Sequence, residues 1–116
     1  MNPRVVRFSE VLYSVMRVMV GLLFASHGAQ KLFGIPGGHP MTGKPLMLVA
    51  GIIELVSGLL IAVGLLTRWA AFLSAGEMAV AYFMAHAPQG FWPVQNKGEA
   101  AVLYCFIFLF IAAFGG

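Results

Sequence analysis

Seven side chains in this sequence could move a proton, hold an anion or hydrogen-bond a ligand from within a largely apolar chain: Arg17, His27, Lys31, Glu54, Glu77, His86 and Glu99. Arg17, Glu54 and Glu77 each sit near the middle of a long apolar stretch. At ~1.5 Å of rise per residue the three reach a similar depth, where an isolated charge costs ~3 kcal/mol. The sequence therefore predicts pairing of Arg17 with Glu54, with Glu77, or with both. One guanidinium neutralises one carboxylate, so the second acid is expected to hold a proton. Glu54 and Glu77 are thus the candidate proton-exchange groups. A purely structural ion pair is the competing reading.

The other four residues cluster at span ends. His27 and Lys31 are four apart, on one face of the first span. His86 ends the third span, and Glu99 opens the fourth behind Asn96 and Gly98, where a helix N-terminus favours a carboxylate. Together with Phe91 and Trp92 they are expected to form a ligand-binding mouth of few polar groups and aromatic walls. Blander roles compete at each position. The histidines can be hydrogen-bonded packing residues, Lys31 can snorkel to head groups, and Glu99 can simply start a helix. His39 falls in a loop and reads as solvated. A metal site is not expected, because no H-x-x-x-H or E-x-x-H spacing occurs. A haem held by His27 and His86 is disfavoured, since the two rings would have to meet across a wide gap. The single cysteine, Cys105, allows no intrachain disulfide or C-x-x-C pair and reads as a small packing residue.

These residues have to be positioned by elements that suit lipid. The chain has 116 residues, 60% of them hydrophobic and 9% charged, with a mean hydropathy of +0.90. Soluble domains carry about 25% charged residues, so the composition excludes a soluble enzyme and places the chain in a bilayer. Seven Lys and Arg against four Glu leave a net charge of +3. The basic residues are scattered, which excludes a nucleic-acid surface and suits contact with anionic head groups. Arg4 and Arg7 begin the chain as a signal peptide would, but Arg17 interrupts the apolar run, so the segment reads as a retained span.

Four apolar segments approach the ~20 residues needed to cross hydrocarbon: about 11–33, 45–66, 69–87 and 99–114. In lipid these are expected as helices. The prediction is an all-α, transmembrane four-helix up-down-up-down bundle, a single domain over residues 1–116. Gly34 to Pro45 and Pro88 to Gly98 are its long loops, with a tight turn at Thr67 and Arg68. On the second span Gly51, Glu54, Gly58 and Ala62 share one face, a small-residue packing seam that carries an acid. Phe24-x-x-His27-x-x-Gln30 recurs as Phe83-x-x-His86-x-x-Gln89, which hints at two related hairpins. Lys and Arg divide evenly between the two faces. The pair before the first span tips the expected orientation to cytoplasmic termini, in a bacterial inner (plasma) membrane.

The ordered residues resemble those of the DoxX family of small four-helix membrane proteins. The likeness begins in "RVMVGLLFASHGAQKLFG", with Arg17, Phe24, His27, Gly28, Lys31 and Phe33. It continues in "GIIELVSGLLIAVGLLTRWAA" with Gly51, Glu54, Gly58, Gly64 and Arg68. It closes in "MAVAYFMAHAPQGFWPVQNKGEAAVLY" with Met78, His86, Gly90, Phe91, Asn96, Gly98, Glu99 and Tyr104. The resemblance implies an integral membrane protein; some family members are linked to quinone-dependent oxidation of sulfur compounds, others to membrane-associated redox complexes. With no cysteine relay here, any electron chemistry has to come from a bound quinone or a partner. Three functions follow as expectations. The first is a redox-associated subunit in which His27 or His86 holds a quinone oxygen. The second is a non-catalytic accessory subunit of a larger membrane complex, and the third a small proton-coupled transporter. The expected partners are the lipid bilayer and other membrane or membrane-associated proteins.

Overall fold

The computed structural model describes residues 2–34, 45–93 and 98–115. Among these residues the fold is all-α: α1 (Pro3–Phe33), α2 (Pro45–Val63), α3 (Thr67–Ala81) and α4 (Glu99–Phe114). A π-turn (Tyr82–His86) and a short 3₁₀ turn (Ala87–Gln89) follow α3. His39, Lys44, Asn96 and Lys97 lie outside the described residues. The chain divides into two compact units, residues 1–66 and 67–115.

The first unit is the antiparallel hairpin of α1 and α2. Asn2 starts α1, its side chain accepting the Arg4 N–H at 2.8 Å, with Pro3 in the first turn. Both are strong helix-start residues. The helix therefore begins well before the predicted span and runs for 31 residues, against 19 for α2. Both helices are long and apolar enough to cross a membrane. Their seam is built on glycines. A Cβ on Gly28 would lie 2.3 Å from the Leu55 backbone nitrogen, and one on Gly58 would lie 2.5 Å from that of Ala25. At Gly21 it would meet Ala62 and Gly58 backbone at 2.6 Å. Backbones this close require hydrogen in place of a side chain. The seam predicted along Gly51, Glu54, Gly58 and Ala62 is buried as a continuous face.

α2 ends at Val63, earlier than predicted, because Gly64 turns the chain at φ 83°. The turn is Gly64 to Leu66, and Thr67 already opens α3. The Gly64 and Leu65 N–H groups both donate to the Leu60 carbonyl, at 2.9 and 3.0 Å. That leaves the next carbonyls, of Ile61 and Ala62, without their usual capping donors.

The second unit pairs α3 with α4, also antiparallel: Arg68 at the start of α3 donates to the Phe114 carbonyl at the end of α4, at 3.4 Å. Phe108, Ile111, Ala71 and Ser74 are fully buried. The π-turn has a local cause. Pro88 has no N–H to give the Met84 carbonyl, and its ring crowds that carbonyl, so a regular ladder cannot run through it. The Ala87 N–H bonds instead to Tyr82 O, five residues back. The predicted third helix thus continues past Ala81 in a wider winding.

Candidate functional site

α1 ends in its own cap, with the Gly34 N–H on the Gln30 carbonyl at 2.9 Å and Lys31 as the basic residue of the last turn. A cation there is favoured by the helix dipole. From that turn the Lys31 side chain crosses to α2 and its ammonium donates to Glu54 Oε1 at 2.6 Å. Gly51 makes the crossing possible, since a Cβ there would lie 3.1 Å from the Lys31 Cβ. Glu54 is 1% exposed, whereas 22% of the Lys31 side chain is open. The result is a short charge-assisted bond with one end sealed and the other near the surface. His27, one turn before Lys31 on α1, is exposed.

Glu54 therefore pairs with Lys31, which corrects the expected Arg17–Glu54 pair. The reason is register. α1 extends back to Pro3, so α2 lies only along its later part, with Gly28 opposite Leu55 and Gly21 opposite Ala62. Arg17 consequently meets the C-terminal end of α2, while Glu54 meets the last turns of α1. The Arg17 guanidinium donates to the carbonyls of Ile61 and of Ala62, the latter at 3.3 Å. These are the two groups left over by the Gly64 turn. Arg17 is a helix cap, and a cation at a helix C-terminus is stabilising.

The second unit repeats the device. Arg68 Nε would lie 2.9 Å from a Cβ on Gly115, which has φ 101°. Arg17 and Gly64, and Arg68 and Gly115, are separated by the same number of residues along the chain. The relationship between hairpins is carried by this arginine–glycine cap. The Phe-His-Gln pattern is not wound alike in its two copies: the first lies in α1, the second in the π- and 3₁₀ turns.

Glu77, half-buried, and His86, on the π-turn, belong to the second unit, as does Glu99, exposed at the first position of α4. The His86 ring centroid is 6.4 Å from that of Tyr82. The Tyr82 hydroxyl donates to the Phe91 carbonyl at 3.5 Å. Beside them, α3, the π-turn and α4 enclose an apolar groove of about 220 Å³, onto which Met78, Tyr82, Phe83 and Cys105 open. Sequence reasoning missed this groove. Pro88 was the available signal, but it reads as the start of a loop. Among the described residues no three His, Cys, Asp or Glu side chains group as metal ligands.

The DoxX family profile matches residues 12–87. The chain is also similar to an uncharacterised protein of Haemophilus influenzae, 40% identical over an alignment 116 positions long that covers 94% of this chain and 87% of that one. No solved structure matches it. The profile begins within α1 and runs on through the π-turn, taking in the Lys31–Glu54 pair, both capping arginines and His86; the chain belongs to the DoxX family.

Proposed function

We propose that this DoxX protein lies in a bacterial inner membrane and binds a quinone or similar lipid-soluble molecule in the service of a membrane oxidoreductase system. Its four helices cross the bilayer up-down-up-down, with both termini in the cytoplasm. His27 or His86 donates a hydrogen bond to the quinone oxygen. Glu54 or Glu77 exchanges the protons that accompany quinone reduction, and a redox partner protein exchanges the electrons. Lys31 in the first hairpin and Glu99 in the second are further candidate polar groups for the ligand.

The observation that carries this reading is the Glu54 carboxylate, 1% exposed and held by Lys31 at 2.6 Å in the seam of α1 and α2. A buried ion pair adds little net stability, and well-packed apolar residues could replace it. Ionisable groups kept at such a position in a membrane point to proton or ligand work. The pair also has a direct route to neutrality, since a proton passing from the ammonium to the carboxylate discharges both groups.

A test is equilibrium binding of decylubiquinone to the purified protein in mild detergent. The native protein is expected to bind it, and His27→Ala or His86→Ala to weaken binding about tenfold, the loss of one good hydrogen bond. Equal affinity in the native protein and both variants would contradict the reading. A second reading, the accessory subunit, is favoured by the exposed row Leu103, Phe106, Phe110 and Phe114 on α4, a surface suited to another membrane helix.

A further inference from the structure

We propose that the apolar groove of the second unit receives the ring of the lipid-soluble ligand, and that His86, which stands beside the groove-lining Tyr82, hydrogen-bonds its oxygen. This rests on the function proposed above and assigns the ligand a place that the polar residues alone do not give.

The groove has about 220 Å³ of space and a lining that is apolar throughout. An apolar cavity of ~150 Å³ already holds a benzene ring, so the space fits one substituted ring and rejects a charged or sugar-like ligand. Its walls suit an aromatic guest. The Tyr82 and Phe83 rings, themselves packed edge to face at 5.4 Å, stand on the α3 side. Met78 and Cys105 add polarisable sulfur, which makes favourable contacts with rings. Phe106 lines the α4 side.

The second observation is the backbone itself. Along its α3 side the groove runs from the regular helix at Met78 and Ala79 into the π-turn at Tyr82 and Phe83. Single π-turns inside helices are frequent at functional sites. Two of the groove's aromatic walls, Tyr82 and Phe83, are carried by this wider winding. It also sets His86 four residues beyond Tyr82, their rings 6.4 Å apart and tilted by 33°. The Tyr82 hydroxyl is turned to the Phe91 carbonyl, leaving its ring to the groove. His86 is not itself part of the groove wall; it stands next to Tyr82, where a single polar group beside an apolar slot can fix a ring's orientation.

Cys105 supplies the test, because it is the chain's one cysteine and it lines the groove. Alkylation of the purified protein by N-ethylmaleimide is timed with and without decylubiquinone, a ring too fully substituted to alkylate thiols. At a quinone concentration ten times its Kd, occupancy should slow Cys105 alkylation about tenfold. Val102→Trp and, separately, Ala79→Ile fill the groove and should abolish both binding and protection; circular dichroism and elution volume check that each folds. Quinone binding without protection of Cys105 overturns the groove and leaves the proposed function standing. Binding to folded Val102→Trp or Ala79→Ile as tight as to the native protein overturns it as well. No binding to the native protein overturns both proposals.

Discussion

Lys31 and Glu54 are unequal partners: the acid is sealed, and part of the base is open. Removing the base strands a buried carboxylate, so Lys31→Met should cost about 3 kcal/mol, the usual scale for breaking a buried pair from one side. The lowered Tm in detergent reports it. The double variant Lys31→Met/Glu54→Leu should regain most of that Tm, because no charge remains to be solvated. On the proposed function it should stay unable to couple protons to quinone reduction. A double variant as unstable as the single one would show that the pair is not the source of the loss. That Arg17 and Glu54 need buried partners was legible in the sequence, because charge within an apolar run has few explanations. Their pairing was not. Depth alone does not give register, which follows from Gly28 meeting Leu55 and Gly21 meeting Ala62 and sets Arg17 against the end of α2.

At the scale of elements, each hairpin holds an arginine of its first helix against the end of its second. Arg17→Met should leave the Ile61 and Ala62 carbonyls without a donor, costing about 1–3 kcal/mol. Gly64→Ala should add the ~1–2 kcal/mol of a left-handed conformation for a residue with a Cβ. It also brings that Cβ to 3.0 Å from Arg17 Nη1. Because the two sites touch, the double variant should be milder than the sum of the singles, which thermal unfolding of the set of three checks. Gly28→Ala should be more severe than a usual glycine-to-alanine change in a helix. Its Cβ meets Leu55 backbone at 2.3 Å, and backbone cannot swing aside. Expected is a loss of about 2 kcal/mol or more by overpacking. A stability gain from helix propensity alone would contradict the close approach. The helix starts at Pro45 and Glu99 and the small-residue seam of α2 were readable from the sequence. Register was not, because it depends on which glycines of two helices meet. The π-turn was not, because Pro88 marks where a regular ladder fails but not how the chain accommodates it.

For the whole molecule, the apolar residues that α1 and α2 leave exposed, such as Leu22, Leu23, Ile52 and Leu59, need lipid or protein against them. The four-span reading makes a topological claim, since an even number of crossings returns both termini to one side. A C-terminal green fluorescent protein fusion should fluoresce and a C-terminal alkaline phosphatase fusion should be inactive, as cytoplasmic termini require. The reverse result would invert the orientation, and termini on opposite sides would remove one span. Composition made the membrane setting legible; the groove was not, because it is built from Met78, Tyr82, Phe83 and Cys105, whose types are common to any apolar helix pair. The most direct test of the central claim is purification of the native protein in mild detergent, followed by mass spectrometry of the small molecules and proteins it carries. The account predicts a quinone at close to one per chain, and less of it in His86→Ala. A protein that brings companion proteins but no quinone would contradict it, and would make the chain an accessory subunit of their complex.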